Sequence, residues 1–323
     1  MSAIPVRLLA AFAGFLVFAF GAAWAQPYPS KPVRVIIVFP AGGGTDITGR
    51  LVFQKMGEQL NQQFVIDNRG GAGGTIGAAL AAKSPPDGYT IMVYSATFLA
   101  NAHLYRSLPY DAMKDFIGIT PIARLVGMLA VHPSMPVRST KDLVALAKSQ
   151  PGEILYGSAG PGAFQHLSTS HFANMAGIKM THVPYKGGTL ASLATASGEV
   201  QVILTVMAEL LPFIQGNRLR PIAVSSAQRT TQFPDLPAIA ETVKGYDFTS
   251  WFGTFVPAGT PRPIVDKLNA ELKKAVADRE IASKLSAQVL DPMHMSVEEF
   301  ATLLRTEYDR YEKVVKLTGV RID

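Results

Sequence analysis

No cysteine occurs in the 323 residues, which excludes disulfides, thiolate metal sites, a catalytic thiol and a lipid-accepting cysteine. Charge of one sign is not concentrated either. The formal net charge is +6, but Lys and Arg are scattered and form no stripe interleaved with aromatics, so a nucleic-acid partner is not expected. Beyond Ala23 no uncharged apolar run is long enough to cross a bilayer. Sequence signatures of catalysis are missing too. Gly71-Ala72-Gly73 is followed by Ile76 where a dinucleotide fingerprint needs glycine, and the turn at Gly42 meets Ile47 at that position. Ala163 and Phe164 stand where a phosphate-binding lysine would follow Gly162, and no Gly-x-Ser-x-Gly elbow occurs. His166 and His171 are five apart with no glutamate between them, which puts them on different faces of a helix, unlike a zinc-binding His-Glu-x-x-His pair. No enzyme activity, cofactor or metal is expected.

What the chain does contain begins at its N-terminus. Arg7 precedes an apolar run from Leu8 to Ala23, and Ala23-Trp24-Ala25 leads to Gln26. That layout predicts a secretory signal peptide over residues 1–25, cleaved near Ala25, and export to a bacterial periplasm.

The remainder alternates short β-branched runs with amphipathic stretches, which predicts an α/β architecture with largely parallel sheets. Strand Val33 to Phe39 runs through Ala41-Gly42-Gly43-Gly44-Thr45-Asp46 into a helix reaching about Leu60. Further strands are expected at Val65 to Asp67 and Thr90 to Tyr94. The same grammar returns at Ile154 to Tyr156, where Gly157-Ser158-Ala159-Gly160-Pro161-Gly162 leads into a helix from Ala163 to about Met175. Strands at Met180 to Val183, Val202 to Thr205 and Ile222 to Val224 follow, with helices near Leu190 to Ala196 and Glu209 to Gln215. After the strand Phe252 to Val256 come three helices, Ile264 to Ala277, Ile281 to Ala287 and Val297 to Leu317. The last is introduced by a capping box at Ser296 and Glu299. No further βα unit follows these helices, so they should pack back on the first unit. The expected division is a first lobe over 26–124, a second over 125–250, and a hinge strand with C-terminal helices over 251–323. The joining strands are expected near Thr120 to Val126 and Trp251 to Val256.

A glycine-rich loop between strand and helix lets backbone approach a ligand, and the helix N-terminus offers free N–H groups and partial positive charge. Gly42 to Asp46 and Gly157 to Ala163 are two such loops, together able to hold a small carboxylate. Asp46 reads either as an acid complementing the helix dipole or as a ligand contact, with the first favoured. Tyr185-Lys186-Gly187-Gly188 reads equally as a lid with a cation or as an ordinary turn. Trp251 and Phe252 read as core or hinge packing.

Several motifs together resemble the Bug receptors, the periplasmic substrate-binding proteins of tripartite tricarboxylate transporters. They are Tyr28-Pro29-Ser30-Lys31-Pro32-Val33-Arg34, Phe39 to Asp46, Asn68-Arg69 with Gly71 to Gly77, Pro86 to Thr90, His182 to Gly188 and Trp251-Phe252-Gly253. The resemblance implies a two-lobed type II periplasmic-binding-protein fold with two crossing strands, a small carboxylate ligand held by closure, and delivery to membrane permease subunits. A monomer is expected, and docking on a sensor histidine kinase is the alternative to a permease. Carried over, the first wall of the site is Phe39, Ala41, Gly42, Gly43, Gly44, Thr45 and Asp46 with Ser95 and Thr97. The facing wall is Ser158, Ala159, Gly160, Gly162, Ala163, Phe164, His166 and Tyr185. This sequence departs from the usual pattern at Ala163 or Phe164, where a hydroxyl residue is common, and at Gln201 and Thr205, where the strand usually carries an aspartate. The second wall is therefore expected to lack a carboxylate, which favours an acid with an apolar or aromatic body near Phe164 over an amino acid.

Overall fold

The computed structural model describes residues 28–319, 321 and 322; the segment read as a signal peptide lies outside the described residues. Two sheets share one long strand. In the first, β1 (Val33–Ile37) lies between β2 (Phe64–Asn68) and β3 (Thr90–Ser95), parallel to both. β1 is almost wholly buried, as a continuous apolar run covered on both faces requires. β3 then pairs antiparallel with β9 (Thr249–Pro257), and β9 with the first part of β4 (Phe116–Val131).

From Gly127 onward β4 leaves that sheet and pairs with β7 (Val202–Val206) and β8 (Arg220–Val224). Parallel strands β5 (Leu155–Ser158) and β6 (Thr181–Pro184) complete the second sheet. The chain returns through Phe248, whose N–H donates to the Ser225 carbonyl at 2.8 Å, and enters β9. Ser225 clasps both crossings: its hydroxyl accepts from Gly127 N and donates to the Phe248 carbonyl, each at 2.8 Å.

The helices are α1 (Gly44–Leu60), α2 (Thr75–Ala82), α3 (Thr97–Leu104), α4 (Thr140–Ser149), α5 (Phe164–Ala176), α6 (Gly188–Ala196), α7 (Met207–Gln215), α8 (Arg262–Ala277), α9 (Arg279–Ala287) and α10 (Val297–Thr318). α10 buries Phe300, Leu304, Glu307, Tyr311, Val314 and Val315, a stripe at helical spacing. Phe300 meets Trp251 edge-on at 5.1 Å and packs against Phe255. The expected capping box forms, with Ser296 Oγ accepting from Glu299 N and the Glu299 carboxylate accepting from Ser296 N.

One expectation needs correction. The sheets are mixed rather than largely parallel, because β9 and β4 carry the crossings and run against their neighbours. Ser95 ends β3, and Thr97 opens α3. A short strand β10 (Leu290–Pro292) between α9 and α10 pairs antiparallel with Ala123–Leu125 of β4.

Just beyond β10, buried Thr120 fastens the C-terminal segment to the crossing strand. Its hydroxyl accepts from Met295 N at 2.9 Å and donates to the Met295 carbonyl at 3.0 Å. Thr120→Val keeps the shape and removes both bonds, so it should lower stability by about 1–2 kcal/mol. Urea unfolding reads this as a lower midpoint at unchanged slope. An unchanged midpoint would show that the clasp contributes nothing.

Candidate functional site

The two glycine loops face each other across a cavity of about 320 Å³. α1 begins at Gly44 with Gly43 as N-cap in an extended conformation, so the first N–H groups of the helix have no intrahelical acceptor. Opposite them α6 begins at Gly188, with Gly187 as its N-cap. Apolar surface from Phe39, Leu125, Phe164, Val206 and Phe252 fills most of the remaining wall, and Ser95, Thr45 and Gln165 add polar atoms.

Of the residues expected at the site, Phe39, Ala41, Gly43, Gly44, Thr45, Ser95, Ala159 and Phe164 line this cavity. Gly160 and Tyr185 line a neighbouring opening between the loops, which shares Phe39, Pro40, Ala159 and Lys186 with it. Neither cavity is lined by Gly42, Asp46, Thr97, Ser158, Gly162, Ala163 or His166. Several of these hold the walls in place. Buried Asp46 accepts from Gly42 N, Arg50 Nε and Asn68 Nδ2, each at 2.9 Å. Burial alone would raise its carboxyl, but the bonds from Arg50, Gly42 and Asn68 outweigh this and hold it below the usual carboxylate range. Thr97 Oγ1 shares a 2.7 Å hydrogen bond with Ser95 Oγ.

The second loop is held by a stacked histidine pair. The His166 and His182 rings lie 3.9 Å apart and nearly parallel, with Tyr156 stacked beyond His182. His166 Nδ1 accepts from Gly162 N at 3.1 Å. Because the amide can only donate, this imidazole is neutral with its proton on Nε2. His182 Nε2 lies 2.6 Å from Ser158 Oγ, which also accepts from Gly160 N. Burial and the adjoining His182 push His166 down to about 3, and burial pushes His182 down to about 4. His171 stands apart, against Tyr246 and Phe248.

The residue that sequence reasoning missed is Glu209, in the first turn of α7. Its carboxylate reaches the cavity and accepts from Gly44 N at 3.1 Å, from Thr205 Oγ1 at 2.6 Å and from Gln165 Nε2 at 3.4 Å. Burial raises its carboxyl above the ordinary value against the pull of those donors. The expectation of a second wall without a carboxylate is therefore wrong. The negative charge comes one helical turn after the strand position where Thr205 stands, and Thr205 is a hydrogen-bond partner to it. An acid at the start of a helix complements the dipole and reads from sequence as capping alone. Gln165, Leu190, the Gly187–Thr189 turn and Phe252 also line the cavity without having been expected there.

Two α/β lobes joined by crossing strands, with glycine loops and helix N-termini meeting over a cavity, define a bilobal solute-binding receptor. Residues 48–320 match the Tripartite tricarboxylate transporter family receptor, TctC, and the chain belongs to that family, whose members are periplasmic solute receptors and not enzymes. Protein BugT of Bordetella pertussis is 32% identical over 323 residues, covering 98% of each chain. Rpa4515 of R. palustris, solved with adipate, superposes with a TM-score of 0.88 at 36% identity, covering 91% of this chain and 99% of that one. MatC of Rhodopseudomonas palustris, solved with bound malate, gives a TM-score of 0.84 at 27% identity, covering 89% of this chain and all of that one.

Proposed function

We propose that this protein is an exported periplasmic receptor that captures a small carboxylate with an apolar body between its glycine loops. It passes the closed, loaded form to the permease subunits of a tripartite tricarboxylate transporter, acting as a monomer. The observation that carries this reading is the cavity itself, walled by Phe39, Leu125, Phe164, Val206 and Phe252 and bordered by the first turns of α1 and α6. Helix N-termini favour an anionic group, and the aromatic and aliphatic wall favours a hydrocarbon body. Relatives solved with adipate and malate support the carboxylate class.

Calorimetric titration with aliphatic mono- and dicarboxylic acids of four to eight carbons, their hydroxy and amino derivatives, and benzoate tests it. Micromolar binding by at least one of them, on the order of 8 kcal/mol, is expected. Heat from none of them would overturn the reading. Delivery is tested by uptake of the acid that binds: deletion of the receptor gene should abolish it, and deletion of the permease genes should do the same. Uptake that persists without the receptor removes the transport role.

A further inference from the structure

Glu209 is an acid in the cavity wall, set between the first residues of α1 and α6. Gly44 opens α1, and its N–H donates to Glu209 Oε1 at 3.1 Å. Gly188 opens α6 so close by that a β-carbon added there would fall 2.7 Å from the same oxygen and 2.8 Å from Gln165 Nε2. The carboxylate thus lies at the junction of two positive helix ends and offsets part of the field of both. Gln165 donates to Thr205 Oγ1 at 2.8 Å, and Thr205 donates onward to Glu209 Oε2. Both carboxylate oxygens therefore receive donors, the arrangement an ionised carboxylate needs. Oε1 accepts only the Gly44 bond among the described contacts, and a carboxylate oxygen has capacity for a second. Among the described residues lining the cavity, Lys186 and Glu209 are the charged ones, and Lys186 is exposed.

We propose that Glu209 is the specificity-determining residue of this receptor. Its carboxylate selects a monocarboxylate that also carries a hydrogen-bond donor, a hydroxyl or an ammonium, and rejects a dicarboxylate dianion. The inference rests on the carboxylate-receptor reading and narrows it. A donor on the ligand satisfies Oε1 inside the closed cleft, whereas a second carboxylate brings like charge beside Glu209 in a low-dielectric site, where repulsion is far stronger than in water. A ligand with neither leaves the Oε1 lone pair unanswered after water is expelled.

The test is calorimetric titration of the full-length receptor with a matched six-carbon series: hexanoate, 6-hydroxyhexanoate, 6-aminohexanoate and adipate, with 2-hydroxyhexanoate and 2-aminohexanoate for a donor beside the acid. The wild type should bind the best donor-bearing monocarboxylate about tenfold or more tightly than adipate. The hydroxy and amino arms show which donor is used. Glu209→Gln keeps the shape and the bond from Gly44, and should reduce that preference about tenfold or more, chiefly by tightening adipate. Wild-type preference for adipate overturns the inference without any variant, which keeps it falsifiable should the variant misfold. An unchanged preference in a folded Glu209→Gln receptor overturns it as well. Binding of none of the wider acid panel overturns the receptor reading itself, and this inference with it. Binding of carboxylates with no dependence on the donor overturns the inference alone.

Discussion

Gly73→Ala is expected to weaken ligand binding about 100-fold while leaving the receptor folded. Gly73 lies in the turn after β2 with φ +64°, and a β-carbon there would overlap the carbonyl oxygen of Pro161 in the opposite glycine loop. The obstacle is backbone on both sides, so no rotamer change relieves it. The two loops could then meet only with a gap, and the cavity behind them would stay open to water. In a hinged receptor the contacts made on closure supply much of the affinity, so a variant that cannot close binds only through one wall. Positive φ alone makes alanine unfavourable by roughly 1 kcal/mol, and Gly177→Ala controls for this. Gly177 has φ +61° at the C-cap of α5, with no atom within 4 Å of the added carbon. Calorimetry should therefore show near-normal affinity for Gly177→Ala and a large loss for Gly73→Ala at similar melting temperatures. Equal affinities in the two variants would mean that the Gly73–Pro161 approach has no part in ligand capture.

Glycine made one loop on each wall legible in the sequence. A strand followed by a glycine run and then a helix has one physical reading, and it occurs twice, at Gly42 to Gly44 and at Gly157 to Gly162. α10 was legible for a similar reason, since its capping box and apolar period agree. Other features left no such local trace. β4 is sixteen residues long, yet only Thr120 to Val126, the stretch between Gly118 and Gly127, stood out. Its continuity comes from pairing with β9, β7 and β8, which are distant in sequence. α3 is buried on most of its surface and therefore shows no amphipathic period. β10 exists only because Ala123 to Leu125 offer it a partner. Glu209 is the most instructive case. Its role depends on Gly44, 165 positions earlier in the chain, and nothing near it in sequence distinguishes a helix-starting acid from one aimed into a cleft.

Acid should destabilise the receptor well above the carboxylate range, and the stacked histidines set the window. Unfolded histidine titrates near 6.5, whereas burial, with the neighbouring His182, holds His166 at about 3, and burial holds His182 at about 4. Between these values the unfolded chain binds protons that the folded one refuses, so stability falls as pH drops below about 6.5 and levels off only beneath the folded values. Each such histidine contributes a slope approaching 1.4 kcal/mol per pH unit. From pH 6.5 to 4.5, His166 should cost about 2 kcal/mol, and His182, being partly exposed, about half that after solvent screening. Protonating His166 also removes the Nδ1 lone pair that accepts from Gly162 N, so the second glycine loop should loosen as the protein weakens. His166→Asn offers an oxygen close to the Nδ1 position without a titrating ring. Urea midpoints at pH 7.5, 6.5, 5.5 and 4.5 should show the variant losing about 2 kcal/mol less than the wild type across the lower three. Parallel pH profiles for the two proteins would show that His166 does not resist protonation in the folded state and that the loop is held by other bonds.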